Sequence, residues 1–212
     1  MQEGRDSGAS LTTEPFAAWL GKTLAARGTG KGVDVACGEC RGCCTSSYFI
    51  HIAPDETGTL ARIPKDLLFT APGLPKGHKL MGYTDQGHCP MFKDNACSIY
   101  ADRPRTCRAY DCRVFAATGF SEGASKPAIA RQGERWRFGF DTPEDGAKFA
   151  AVQASARFLR EHSARFPPGF LPSNAPQQAM LAIRVHDLFL GNAGREADID
   201  ACIARIVAAA PG

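Results

Sequence analysis

Apolar residues recur at helical spacing near the N-terminus. Phe16, Leu20 and Leu24 follow one another at intervals of four residues, which places them on one face of a helix. Thr13-Glu14-Pro15 precedes them and has the composition of a helix start, and Gly28 is a typical helix end. We therefore predict a first helix up to about residue 27.

The C-terminal half is predicted to contain one strand followed by helices. Aromatic and polar residues alternate over 136–140, as in a strand with one buried face. Thr142 and Asp145 have the spacing of a capping box at the start of a long helix. Asn174 is a candidate cap for the next helix, and the apolar positions of 199–206 predict a last short one. No catalytic motif is recognisable in this half.

The middle of the chain lacks long periodic runs and has short connections. Its predicted elements are strands at 48–52 and 79–83, short helices at 54–63 and after Asp102, and a turn at Asp94-Asn95 between two extended pieces. Short elements of this kind are not stable by themselves and need further contacts. The cysteines in the same stretch are candidates to provide them.

Eight of the nine cysteines lie in this middle stretch. The ninth, Cys202, falls on the apolar stripe of the last predicted helix, where a buried packing role is expected. The eight are Cys37, Cys40, Cys43, Cys44, Cys89, Cys97, Cys107 and Cys112. In a reducing compartment such a cluster indicates metal ligands before disulfides.

Net charge and the absence of targeting signals limit the partners and the compartment that we expect for this protein. The formal charge of +3, from 25 basic and 22 acidic residues, is too small and too evenly spread for a nucleic-acid or anionic-membrane partner. No apolar run approaches the ~20 residues of a membrane helix. The first thirty residues contain no secretory hydrophobic segment, so we expect a cytoplasmic protein.

Two adjacent cysteines indicate two metal sites. Neighbouring side chains in an extended backbone point to opposite faces, so Cys43 and Cys44 are not expected to bind the same ion unless the local turn is distorted. Two four-thiolate sites would use all eight clustered cysteines. Gly38 and Gly42 lie between the first ligands, ease the turn, and leave backbone N–H groups free to face sulfur.

The spacing favours iron–sulfur over zinc but leaves both open. A zinc ribbon normally has two separated Cys-x2-Cys pairs, and the second group of cysteines here has none. Cys37, Cys40 and Cys43 resemble the three local ligands of a four-iron (4Fe-4S) ferredoxin cluster, and Cys89-Pro90 supplies a Cys-Pro pair. His88 adjoins Cys89 and is a less favoured substitute ligand.

Arginines accompany the last two clustered cysteines. Guanidinium N–H groups can hydrogen-bond thiolate sulfur and offset its negative charge. We predict this supporting role for Arg103 and Arg108, whereas a solvated basic face explains Arg105 and Arg113 equally well.

The cysteines and their neighbours together resemble a known family. The stretches that carry the resemblance are Cys37-x2-Cys40-x2-Cys43-Cys44, then Cys89-Pro90, then Cys97-Ser-Ile-Tyr100-x2-Arg103-Pro104-x2-Cys107-Arg108-x-Tyr110-x-Cys112. They are similar to the CxxCxxCC family, described as a zinc- or iron-chelating domain, over about residues 37–113. The resemblance implies that all eight cysteines bind metal and that Tyr100, Arg103, Pro104 and Arg108 surround the site.

The predicted fold class is α+β. A small, irregular, cysteine-rich metal-binding unit with short strands would pack against an N-terminal helix and a C-terminal helical segment. We expect a flexible N-terminus at 1–12, the first helix and the cysteine cluster in 13–113, and a strand-and-helix support at 114–212 in the same globular body.

Three functions are open at this point. The favoured one is a metal-binding protein with a redox or metal-handling role and an unidentified redox or protein partner, as in the many family members labelled iron–sulfur oxidoreductases. The second is a structural zinc module of a partner-binding protein. The third is a protein lysine N-methyltransferase-like enzyme, because the flagellin lysine N-methylases carry the cluster in a longer chain. No glycine-rich strand-to-helix loop for an adenosyl cofactor supports it, and no catalytic residue is assigned.

Overall fold

The chain divides into two compact units. A computed structural model describes residues 9–29, 35, 39–191 and 198–209. The first unit combines the N-terminus up to Leu24 with everything from Cys112 onward, and the second unit runs from Ala25 to Asp111. This division differs from the predicted boundaries, because most of the first helix belongs with the C-terminal half. That all parts form one globular body stays a prediction.

Helices alternate with short strands along both units, so the predicted α+β class is confirmed. In chain order the elements are β1 (Leu11–Pro15), α1 (Phe16–Thr29), β2 (Ile50–Ile52), α2 (Thr57–Arg62), β3 (Leu68–Phe69), β4 (Lys79–Met81), β5 (Phe92–Lys93), β6 (Ala96–Cys97), α3 (Arg105–Ala109), α4 (Arg113–Thr118), α5 (Pro127–Arg135), β7 (Trp136–Gly139), α6 (Pro143–Glu161), α7 (Ala175–Arg184) and α8 (Ile199–Ala209). Within the described ranges, no helix is long and apolar enough to cross a membrane.

The first unit begins with a strand where a helix start and a flexible tail were predicted. β1 pairs in parallel with β7, with Leu11 opposite Trp136 and Pro15 opposite Gly139. The prediction that Thr13–Pro15 caps the first helix was wrong, since these residues extend along a partner more than a hundred positions away. A proline is tolerated here because it ends the strand and its ring precedes the first helical residue.

The cap of α1 comes from another helix. The carboxylate of Asp145 accepts the backbone N–H of Ala17 at 2.7 Å and also receives the N–H groups of Asp141 and Thr142. Thr142 and Asp145 form the predicted capping box at the start of α6, which is confirmed. These N–H donors, chiefly that of Ala17, hold the pKa of the Asp145 carboxyl below its usual range. One buried carboxylate therefore starts two helices.

Two groups of side chains fill the first unit. Around α1 and β7, the ring of Phe16 lies 5.0 Å from that of Phe138 and 5.1 Å from that of Phe149, measured between centroids. The second group joins α6, α7 and α8 and includes Cys202, which is 3% exposed. The predicted packing role of Cys202 agrees with this placement.

Helices α4 and α5 were not predicted. Arg113, the first residue of α4, is buried, and its Nη1 donates to the hydroxyl of Thr13 at 3.1 Å and lies 3.6 Å from the carboxylate of Glu14. A buried arginine interrupts the apolar pattern from which helices are recognised. Both helices are also short, so their stability comes from tertiary packing more than from sequence preference.

The second unit is built on two small sheets. β4 lies between β2 and β3 and is antiparallel to both, with Ile50 opposite Met81, and β5 pairs with β6 as a hairpin. The strands predicted at 48–52 and 79–83 and the turn at Asp94-Asn95 are confirmed with shorter bounds. Six buried residues form the core of this unit, and Cys89, Cys97 and Cys107 pack against them. The six are Ile50, Ile52, Ile63, Met81, Met91 and Ile99.

Replacing Asp145 with Asn tests the shared cap. Asp145→Asn removes the charge that four donors face, so the variant should melt measurably lower at neutral pH. Because the native pKa is lowered, this stabilisation is present above the unfolded pKa of ~3.9 and is lost as the pH falls through the folded pKa. The difference in Tm between wild type and variant should therefore shrink below about pH 4.

The control for this prediction is Glu144→Gln, one residue away. Glu144 is exposed and pairs with Lys148 across one helical turn, so its loss should leave Tm nearly unchanged. Equal melting of Asp145→Asn and Glu144→Gln would contradict the cap assignment.

Candidate metal centre

The first cysteine segment is a tight turn. Residues 42–45 form one turn of 3-10 helix, in which the N–H of Cys44 donates to the carbonyl of Arg41 at 2.9 Å. The backbone N–H of Gly42 lies 3.4 Å from the sulfur of Cys40 and donates to it. The expectation that an amide N–H would face a cysteine sulfur is therefore met at Gly42.

Backbone hydrogen bonds bring Cys89 to this turn. The N–H of Cys89 donates to the carbonyl of Cys44 at 2.8 Å, and that of Ser47 donates to the carbonyl of Gly87 at 2.9 Å. Gly87 adopts a φ of +75°, a conformation that favours glycine, and this closes the loop just before Cys89. Two cysteines 45 positions apart in the chain are thus joined by main-chain contacts alone.

Cys97 is delivered by the hairpin that follows. It lies on β6 opposite Phe92 of β5, and the N–H of Phe92 donates to the carbonyl of Cys89 at 2.9 Å. Asp94 and Asn95 form the turn between the strands with φ values of +48° and +57°. Turn residues with positive φ are those that match the twist of a two-residue hairpin.

Cys107 sits on α3, and two acidic residues hold the start of that helix. The carboxylate of Glu56 accepts the N–H of Arg105 at 2.5 Å and that of Ala53 at 2.9 Å. Asp55 pairs with the Arg105 guanidinium at 2.8 Å, and this contact holds the pKa of the Asp55 carboxyl below its usual range. The loop before α2 therefore fixes where Cys107 lies.

Adjacent thiols polarise each other. A hydrogen bond from the Cys44 thiol lowers the pKa of Cys43 to about 7, and the positive charge of Arg103 acts in the same direction. The same hydrogen bond raises the pKa of Cys44, and burial and the charges of Cys43 and Cys89 add to the rise. Cys43 and Cys44 lie in a 3-10 turn and not in the extended backbone that the two-site argument assumed, so their assignment to different ions stays a prediction.

The thiols of Cys89 and Cys107 resist ionisation. Burial raises the pKa of Cys107 to about 12, and the negative charges of Cys43, Cys89 and Cys97 contribute. Burial also raises the pKa of Cys89, with Cys97 and Cys43 adding to the effect. Five cysteines therefore contribute to these shifts: Cys43, Cys44, Cys89, Cys97 and Cys107. A bound cation is what would let several of them ionise together.

Two predicted ligands remain, Cys37 and Cys112. Cys37 lies outside the described residues. Cys112 belongs to the first unit, where it is buried and its sulfur accepts the indole N–H of Trp136 at 3.2 Å. Across the described parts of the chain, no three His, Cys, Asp or Glu side chains form a group with the arrangement of a metal site. The full set of eight ligands stays a prediction.

Arg103 and Tyr100 form one stacked pair beside the thiols. The guanidinium carbon of Arg103 lies 4.0 Å from the centre of the Tyr100 ring, and its Nη1 donates to the Tyr100 carbonyl at 2.9 Å. Arg108 donates to the carbonyls of Arg103 and Ala101 at 3.0 and 2.9 Å. Arg108 thus braces the loop that presents Arg103, and Arg103 acts on Cys43 and Cys107 through its charge.

Three side chains that hold this region were not singled out from the sequence for that purpose. Glu56 caps α3, Arg41 binds the hairpin turn, and His51 meets His78 with 2.7 Å between ring nitrogens. The only local signal was the position of Arg41 between two cysteines. The predicted substitute ligand His88 instead lays its ring against that of Phe92, with centroids 5.7 Å apart.

The cysteine-rich part of the chain matches a known protein family. Residues 36–125 match the CxxCxxCC family. The family is described as a "Putative zinc- or iron-chelating domain". No curated protein and no solved structure shows a significant match.

The matched CxxCxxCC domain includes every predicted ligand from Cys37 to Cys112. The match supports a metal-chelating role for zinc or iron. It agrees with the resemblance drawn from the cysteine spacing, and it continues past the end of α4 to residue 125.

Neighbouring acids provide a matched test of how Cys107 is positioned. Glu56→Ala removes the acceptor for two backbone N–H groups, so we expect a loss of about 1 kcal/mol in unfolding free energy and weaker metal retention. Asp55→Ala removes only an exposed ion pair and should leave both unchanged. Chemical denaturation measures the unfolding free energy of each variant, and metal analysis measures its metal content. Equal values for the two variants would refute the role of Glu56 in positioning Cys107.

Proposed function

We propose that the CxxCxxCC domain of this protein binds iron as thiolate-held iron–sulfur clusters and serves a redox or metal-handling role in the cytoplasm. The observation that carries the proposal is the main-chain geometry of the second unit, in which the N–H of Cys89 donates to the carbonyl of Cys44 at 2.8 Å and the Cys97 hairpin follows directly from Cys89. The proposed ligands are the eight clustered cysteines, arranged as two four-thiolate sites. Arg103 and Arg108 would support the sites, together with Tyr100.

The chemistry of the thiols favours a metal over disulfides. None of the eight cysteines that the structure describes forms a disulfide. Burial and mutual repulsion raise the pKa values of Cys89 and Cys107, so an uncompensated set of thiolates would be costly there. A metal ion removes this cost, because it binds the deprotonated sulfur and supplies the opposing charge.

Soft thiolate ligands suit both zinc and iron–sulfur clusters, and the spacing of the cysteines favours the cluster. Cys37, Cys40 and Cys43 have ferredoxin-like spacing, and Cys89 precedes a proline. The N–H group of Gly42 donates to the Cys40 sulfur, and that of the Trp136 indole donates to the Cys112 sulfur. Hydrogen bonds to sulfur are one of the ways in which proteins set the reduction potential of a cluster.

A structural zinc module is the second candidate, and the size of the core supports it. The second unit has six buried apolar residues in its core, and its strands are two or three residues long. Small units of this kind commonly depend on bound metal for folding free energy. The first unit has a separate and larger group of buried residues between its helices.

Metal analysis with matched cysteine variants tests the proposal. Protein purified without air should be brown, with a broad visible absorption band and iron and sulfide in comparable amounts. Cys107→Ser should lose most of the iron. Cys202→Ser should keep the iron and only lower Tm, because it buries a hydroxyl in the helical core at a cost of ~1–3 kcal/mol. Stoichiometric zinc in a colourless protein would favour the structural module, and metal-free protein would refute both functions.

Metal removal should affect the two units differently. A chelator is expected to raise hydrogen exchange strongly across 39–111, where the core is small, and to change it little in α6 and α7. Mass spectrometry of exchanged peptides measures both. Unchanged protection in the second unit would contradict a folding role for the metal.

A further inference from the structure

Arg41 links the first cysteine segment to the hairpin of the second. Its Nε donates to the carbonyl of Asn95 at 2.6 Å, and its Nη1 donates to the carbonyl of Cys40 at 3.0 Å. The backbone carbonyl of the same residue accepts the N–H of Cys44 at 2.9 Å. Arg41 therefore holds its own turn with one set of atoms and a distant turn with another.

The hydrogen bond from Arg41 to the Asn95 carbonyl lies close in sequence to three cysteines. Asn95 is the second turn residue of the β5–β6 hairpin and lies two positions before Cys97. Arg41 itself follows Cys40 directly and precedes Cys43 by two positions. A single side chain thus spans 54 positions of sequence between residues that flank three of the proposed ligands.

Arginine suits this position because one side chain donates to two carbonyls. A guanidinium presents its N–H donors in a planar fork, so Nε and Nη1 can reach two carbonyls in different directions at once. A lysine ammonium on a flexible stem can satisfy one carbonyl well but is not held in a plane toward both. Both acceptors here are backbone carbonyls, so the contact does not depend on which side chain occupies position 95.

We propose that Arg41 is a positioning residue, which fixes the first cysteine segment against the Cys97 hairpin so that their sulfurs face a common metal. This inference rests on the proposed metal-binding function. It differs from the roles of Arg103 and Arg108, since Arg41 joins two distant segments whereas Arg108 braces carbonyls of its own loop.

The test compares three variants of the full chain, purified without air. Arg41→Ala should release its metal to a competing chelator about 5- to 30-fold faster than wild type, and its visible circular dichroism should change. Arg41→Lys should release its metal at a rate between those of wild type and Arg41→Ala. Asn95→Gly is the control, because it keeps the carbonyl and suits a φ of +57°, and it should match wild type.

A second readout separates this inference from the proposed function. In protein as purified, whether or not it holds metal, hydrogen exchange of peptides covering 39–47 and 92–99 should be faster in Arg41→Ala than in wild type. If wild type binds no metal but this difference is present, the proposed function fails, and Arg41 joins the two segments without a metal between them. If Arg41→Ala matches wild type in chelator release, dichroism and exchange, the positioning role is overturned.

Discussion

The hydrogen bond from the Cys89 amide to the Cys44 carbonyl is the contact on which the cysteine-rich unit depends. It joins the turn that carries the first thiols to the stretch that carries the later ones, with the Ser47–Gly87 hydrogen bond beside it. Because both partners are main-chain atoms, the contact sets where the chain runs and leaves the sulfurs free. The hairpin that carries Cys97 continues from this junction, because the N–H of Phe92 donates to the carbonyl of Cys89.

The thiols create an electrostatic problem that the rest of the unit only partly offsets. Negative charge on Cys43, Cys89 and Cys97 opposes ionisation of Cys107, and burial adds to the cost. Arg103 lowers the pKa of Cys43 and opposes the rise at Cys107, but one guanidinium does not balance several thiolates. A zinc- or iron-chelating domain has this character, since the metal supplies the charge that the protein lacks. The small apolar core gives the same stretch a further reason to need a metal.

The first unit follows a different logic, in which buried polar groups connect distant parts of the chain. Asp145 caps α6 by the signal visible in its own sequence and also caps α1, whose first residues lie far away. Arg113 is buried against Thr13 and Glu14, so the strand that precedes α1 is tied to α4. Hydrogen-bonded burial of this kind is specific, because removing one partner leaves the other without compensation.

The sequence predicted those features that depend on residues close together in the chain. The capping box at Thr142, the turn at Asp94-Asn95 and the alternating strand after Trp136 involve residues a few positions apart, and the sequence also identified the cysteine cluster and the packing of Cys202. Tertiary structure decided the rest. β1 replaced the expected helix start because its partner is β7, and Glu56 and Arg41 gained their roles from carbonyls and amides around fifty positions away. Such contacts leave no periodic trace, since a hydrogen bond to a distant backbone atom constrains one residue at each end and nothing between them.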